Sequence, residues 1–412
     1  MGCTASIYAL GRKKRLNVSE IAVFVPSLRV PVQSDFQRAL RGLIPNDLAD
    51  RIASLRNQIL LVAEDTDGSA VTELQRALEE YLPLLIGLIK KVNGAQEVVD
   101  FKWRNLEDGG RETCVANSWF EILNVIHMMA MLTLAEANSI LIPKHQPGSS
   151  ERIVSADCMR DAVDLLLKSS GYLEFCVRRV LGPLQSDIKK RLPNDLQENV
   201  LEAISIQALG QGTEIQLGLA IESQKATLSV KRRLACEQLS YFAQAYHCLS
   251  GCDIDHGYGK KHLSFLKWKC LEAKAAAYYY HGLILDKGAE PSSHVTAACC
   301  FLAADELCSE SKKACLSFCL AAPVTKAPPP WGAVKHLNKK IPDLASRKLQ
   351  MYGYILEQEK NGTGLQMLPD LPEFQLSLRP DDFELPEMDS AWNGSQLLQE
   401  HLQDCEDETD TE

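Results

Sequence analysis

Between residues 36 and 360, almost every stretch of this 412-residue chain repeats its apolar side chains every three or four positions. FQRALRGLIPNDLADRIASLRNQILLVAED (36–65), ELQRALEEYLPLLIGLIKKV (73–92) and SWFEILNVIHMMAMLTLAEANSILI (118–142) each carry an apolar helical stripe that must be buried against another helix. The exception is NVSEIAVFVPSLRVPVQ near the start, β-branched and interrupted by Pro26 and Pro31, which predicts one or two short strands beside a helical core. The fold class is therefore mainly α with a few short N-terminal strands.

The longest helical stretches follow: ERIVSADCMRDAVDLLLKSSGYLEFCVRRVL (151–181), a second from Leu196 to Leu249, then GKKHLSFLKWKCLEAKAAAYYYHGLILDKG and HVTAACCFLAADELC. Small residues at Ala273, Ala276, Ala277, Ala297, Ala298, Ala303 and Ala304 let neighbouring helices approach closely, as in stacked tetratricopeptide-like hairpins. Tyr278, Tyr279 and Tyr280 are read as lining a helix, partly buried.

Charge divides the chain. The net charge is −10, but residues 361–412 alone contribute −13 and the remainder +3, so the acidity belongs to a tail. The near-neutral body gives no electrostatic footprint for nucleic acid. The division is a basic N-terminal segment (1–17), a helical body (18–360) and an acidic tail (361–412) expected to be mostly disordered, with short apolar docking motifs.

No apolar run reaches the roughly 18 to 20 residues of a spanning helix; Trp119 to Ala135 is interrupted by Glu121, Asn124 and His127 and reads as a buried helix. The fourteen cysteines lack disulfide-framework spacing and are read as reduced core thiols in a cytosolic protein.

The densest reactive cluster, HCLSGCDIDH, offers His247, Cys248, Cys252 and His256, only half of a structural zinc pattern, and reads as a helix end. GQGTE, around Gly210 and Gly212, lacks the third glycine of a dinucleotide fingerprint and reads as a kink or short loop between helices. With no phosphate loop, nucleophile elbow or zinc helix, the expectation is a non-enzymatic chain without cofactor, metal or catalytic residues.

At the N-terminus, Gly2 and Ser6 complete a myristoylation pattern, Cys3 stands ready for palmitate, and Arg12, Lys13, Lys14 and Arg15 form a basic run. One myristoyl chain holds a bilayer only marginally, and a second acyl chain or a polybasic patch completes the anchor. The expected location is peripheral, on the cytoplasmic face of an endosomal or plasma membrane.

LACEQLSYFAQAYHCL, KCLEAKAAAYYYHGLILDKG and HVTAACCFLAADELC, in that order, resemble the Bro-one domain family over roughly residues 18–360. The resemblance implies a boomerang-shaped helical domain that binds the C-terminal helix of an ESCRT-III filament subunit, of the charged multivesicular body protein type four class, in endosomal sorting. Registered on Tyr241 and Phe242, it assigns the family's apolar patch to Leu217, Val230 and Leu234, its basic partner residue to Arg160, and a neighbouring acid to Asp157, displaced by one position. Short plant members share the N-terminal anchoring pattern. The competing expectation is a helical scaffold for an unrelated partner, recruited through the acidic tail.

Overall fold

The computed structural model describes residues 18–396 apart from 27, 34–35, 41–42, 65–69, 93–98, 107–110, 146–151, 253–257 and 362–367. Strand β1 (Arg29–Pro31) is followed by helices α1 (Phe36–Leu40), α2 (Asn46–Glu64) and α3 (Ala70–Lys91), and then by strands β2 (Phe101–Asn105) and β3 (Glu112–Val115). The three strands form one antiparallel sheet in the order β1-β2-β3, with Val30 opposite Arg104 and Trp103 opposite Thr113. Next come α4 (Ser118–Leu141), a two-residue hairpin of β4 (Lys144–His145) and β5 (Arg152–Ile153), and α5 (Ala156–Phe175). After the short α6 (Ser186–Arg191), five long helices complete the body: α7 (Glu198–Glu222), α8 (Leu228–Ser250), α9 (Tyr258–Leu285), α10 (Pro291–Leu320) and α11 (Gly332–Asn361).

Helix starts follow local chemistry. The side chains of Asn117, Ser155 and Thr227 accept from the amides of Trp119, Cys158 and Val230, satisfying donors that the first turns of α4, α5 and α8 leave open. Pro291 opens α10, where its missing N–H costs nothing.

The central helix α4 is long and apolar enough to cross a membrane by composition, but 89% of its most apolar window is buried inside the protein. It serves as the core of the N-terminal half. Polar residues interrupt its first half at Glu121, Asn124 and His127. Glu121 and Asn124 hold Arg56 and Arg29 through bonds of 2.9 and 2.8 Å to the guanidinium Nε atoms, tying α2 and β1 to α4. His127 is fully buried, and neither ring nitrogen has a hydrogen-bond partner among the described residues.

The segment before β1 runs through the core rather than over it. The Asn138 side-chain oxygen accepts from the amides of Ala22 and Val23 at 2.7 and 2.9 Å, while Gln207 and Gln211 donate to the carbonyls of Phe24 and Ala22. These side-chain amides replace the ladder partners a sheet would supply. Of the described residues in this region only β1 is a strand of the sheet, paired with β2, and a separate isolated bridge links Glu20 to Lys326.

Burial lowers the His127 pKa to about 4 and that of His262 to about 3, against 6.5 for a free imidazole. Both are therefore neutral when folded, and the unfolded chain binds more protons below pH 6.5. Stability is complete above that pH and declines as pH falls toward 4 and 3, by about 3 kcal/mol for His127 at 1.36 kcal/mol per pKa unit. His127→Leu should flatten this acid limb in Tm measurements taken from pH 7 to 4, and an unchanged limb would refute the assignment.

Two expectations need correction. Gly210 and Gly212 lie inside the continuous α7, with no loop between helices. A Cβ on Gly210 would sit 3.0 Å from the ring of Phe242, so glycine is needed for the close approach of α8. The tail is also not mostly disordered over its described part, because residues 368–389 form an extended strap along the body that ends in a 3-10 turn, Ser390–Gln396. Apolar residues drive this docking. Phe383 packs edge-on to Tyr172 and Phe175, and Trp392 is 1% exposed, in a notch that exists because residue 87 is glycine. Tyr278, Tyr279 and Tyr280 are all buried, packing α9.

Candidate partner-binding site

Helix α8 packs on α7 and α9, and α7 in turn separates α8 from α5. Its first turns read LSVKRRL, and the Thr227 cap fixes where that sequence enters the helix. Val230 is 45% exposed, and Leu234, one turn later on the same face, is half-buried. Lys231, Arg232 and Arg233 lie between the pair in sequence and make this turn of α8 basic, with Arg233 paired to Glu237. The result is a small apolar ridge with a basic rim.

Leu217 does not join Val230 at the surface. It is fully buried in α7, in a cluster that includes Ala235 and against which Leu234, Leu371 and Phe374 pack. The helix explains this correction: α7 is enclosed by α5, α8 and α11, so an apolar residue pointing between helices becomes core.

Arg160 lies on α5 and is exposed, with its Nη1 donating to Asp157 Oδ1 at 2.6 Å. The structure thus brings Arg160 and Asp157 together, three residues apart on one helix. It places them on the far side of α7 from Val230 and Leu234.

The strap supplies the part of the surface that the sequence reading missed. Arg232 stacks its guanidinium 5.8 Å from the Phe374 ring, and Arg233 Nη2 donates to the Gln375 carbonyl. The Glu237 carboxylate, fully buried, accepts from Arg233 Nε at 2.6 Å and from the Ser377 amide and hydroxyl at 2.9 and 2.5 Å. Tyr241 donates its hydroxyl to the Leu378 carbonyl at 2.7 Å, and burial pushes its pKa up to about 12, so the donor proton stays in place. Residues 374–378 therefore form a fixed wall beside the ridge. The signal for it was LPDLPEFQLSL, whose apolar residues recur at two- and three-residue spacing.

The remaining candidates separate cleanly. Cys252 Sγ donates to the Cys248 carbonyl at 3.3 Å, and burial raises both thiol pKa values, so these sulfurs are protonated members of the α8 end. Among the described residues no group of His, Cys, Asp and Glu is placed to hold a metal. His256, Gly2, Cys3, Arg12, Lys13, Lys14 and Arg15 lie outside the described residues.

A model of the BRO1-like domain matches residues 19–343. The chain belongs to the BRO1-like domain family. The BRO1 domain-containing protein BROX of Homo sapiens is 23% identical over 388 residues, a span covering 89% of this chain and 87% of BROX. The ALIX BRO1 domain, solved in a complex with CHMP4C, superposes with a TM-score of 0.60 at 14% identity, covering 90% of this chain and 97% of that one. ALIX in complex with the SIVmac239 PYKEVTEDL late domain gives a TM-score of 0.63 at 15% identity, and this chain spans only 50% of that longer one. At these identities the solved structures establish the fold, an elongated helical BRO1 domain. The α8 ridge and its strap wall are features of this BRO1-like chain itself.

Proposed function

We propose that this BRO1-like protein is a non-enzymatic, membrane-anchored adaptor whose α8 ridge holds the C-terminal amphipathic helix of an ESCRT-III filament subunit of the CHMP4 class. The observation that carries the reading is Val230, exposed one turn from half-buried Leu234, with Lys231, Arg232 and Arg233 between them in sequence. A helix with apolar anchors at four-residue spacing and acidic flanks complements that surface. The ALIX BRO1 domain solved with CHMP4C gives a partner class for this fold. Arg160 and Asp157 would provide a polar contact across α7, and Leu217 would support the ridge from below. Calorimetric titration of the full chain with a CHMP4-type C-terminal helix peptide tests the reading, with Val230→Asp as the variant that should lose binding.

Membrane residence rests on Gly2 as myristoyl acceptor, Cys3 as palmitoyl acceptor and the Arg12 to Arg15 run. Gly2→Ala should release the protein from endosomal or plasma membranes into the soluble fraction, with intact mass showing loss of the acyl group. Undiminished membrane association in that variant would remove the anchor.

A further inference from the structure

We infer that the end of α10 and the loop after it form a second, direct contact with an anionic lipid surface. This rests on the membrane-anchored reading and specifies which face of the body meets the bilayer. Leu316 and Leu320 are one turn apart on α10 and are 59% and 65% exposed, and Val324 just beyond is 57% exposed. The loop is folded back on the helix: the Thr325 amide donates to the Cys319 carbonyl at 3.0 Å, which keeps Val324 beside the last turn. Buried Lys261 fixes the same loop by donating to the carbonyls of Ala321 and Pro323 and to the Thr325 hydroxyl. Three large apolar side chains are thus held in water on a rigid support.

The stretch that carries them is positive, with exposed Glu310 just before it and the Glu20 carboxylate beside Lys326 already paired with Arg152. Residues 311–326, SKKACLSFCLAAPVTK, include Lys312, Lys313 and Lys326, all exposed, and no Asp or Glu. Lysines beside exposed leucines suit a lipid interface, where the aliphatic chains enter the apolar boundary while the ammonium groups reach phosphate headgroups.

Position gives the independent argument. The Lys326 amide donates to the Ser19 carbonyl at 2.8 Å, and the Ile21 amide donates to the Lys326 carbonyl at 2.9 Å. The segment bearing Gly2, Cys3 and Arg12 to Arg15 therefore joins the body two residues from Val324. From Val18 the basic run lies only three to six residues back, about 10 to 20 Å at full extension. A bilayer engaged by that run is within about 20 Å of this face, measured along the chain.

The test uses the full chain, myristoylated at Gly2, and vesicles of phosphatidylcholine with or without 30% phosphatidylserine. The parent should bind the phosphatidylserine vesicles, and a Leu316→Ser, Leu320→Ser, Val324→Ser variant should bind at least tenfold more weakly with unchanged helical circular dichroism. Leu349→Ser with Met351→Ser, which alters exposed apolar residues on α11, should bind as the parent does. Equal binding by parent and triple variant would overturn the contact and leave the anchor standing. Failure of both to bind would overturn both. Loss of binding in the triple variant while Gly2→Ala retains it would support the contact and remove the anchor. A triple variant that leaves cell membranes but still binds protein-free vesicles would assign the face to an acidic protein and overturn the lipid assignment.

Discussion

Glu121→Leu is expected to destabilise the protein by about 3 to 5 kcal/mol, the range for leaving a buried ion without its partner. Glu121 has no solvent exposure, and its carboxylate accepts from Arg56 Nε at 2.9 Å, the Tyr81 hydroxyl at 3.0 Å and Trp103 Nε1 at 2.5 Å. One side chain on α4 thereby joins α2, α3 and β2. Burial is the largest single influence and would lower the Arg56 pKa, but the charges and hydrogen bonds of Glu121 and Tyr81 together outweigh it and the value is raised, so the guanidinium stays charged. Without Glu121, Arg56 still donates to the carbonyls of Val32 and Lys102 but loses the buried carboxylate that faces its charge. The Tyr81 and Trp103 donors lose their acceptor as well. Urea unfolding should show a lower midpoint at an unchanged slope, and Arg56→Leu in the same chain should restore much of the loss. A single variant within 1 kcal/mol of the parent would show that water or a neighbour replaces the carboxylate.

The same residue shows what was legible in the sequence. Glu121, Asn124 and His127 in the first half of SWFEILNVIHMMAMLTLAEANSILI marked α4 as a buried helix of a folded core, because a protein interior can supply the partners such groups need and lipid cannot. The partners of Glu121 were not legible: Arg56, Tyr81 and Trp103 lie on three other elements, and no local pattern encodes that convergence. Helical spacing likewise predicted α7 and α8. It could not say that α7 would be enclosed on three sides, and that fact alone decides between Leu217 as core and Leu217 as anchor. The strap was misread for a related reason. Its many acids and prolines match the composition of a disordered segment, while Phe374, Leu378, Phe383 and Trp392 dock into notches made by distant helices. The two- and three-residue spacing of its apolar residues is too short and too irregular to name the helices it docks on.

Those burial differences define the binding experiment. Val230→Asp should weaken a CHMP4-type helix by about 30-fold or more, equivalent to the 2 kcal/mol of an interface hot spot, because it puts a carboxylate where an apolar anchor must be desolvated. Val230 is exposed in the free chain, so Tm should stay close to that of the parent. Leu234→Asp should abolish binding too, at some cost in stability because the side chain packs on the cluster beneath. Leu217→Asp should unfold the helical stack, which makes it a test of the core instead of the interface. Truncation after Lys360 is also the wrong control, since it would remove Trp392 and Phe383 along with the acidic residues and strip the wall from the ridge. A point variant on the rim separates charge from shape: Lys231→Glu should slow association and reduce its salt dependence, whereas Val230→Asp should act mainly on dissociation. Parent-like affinity in Val230→Asp would move the partner site off α8 altogether.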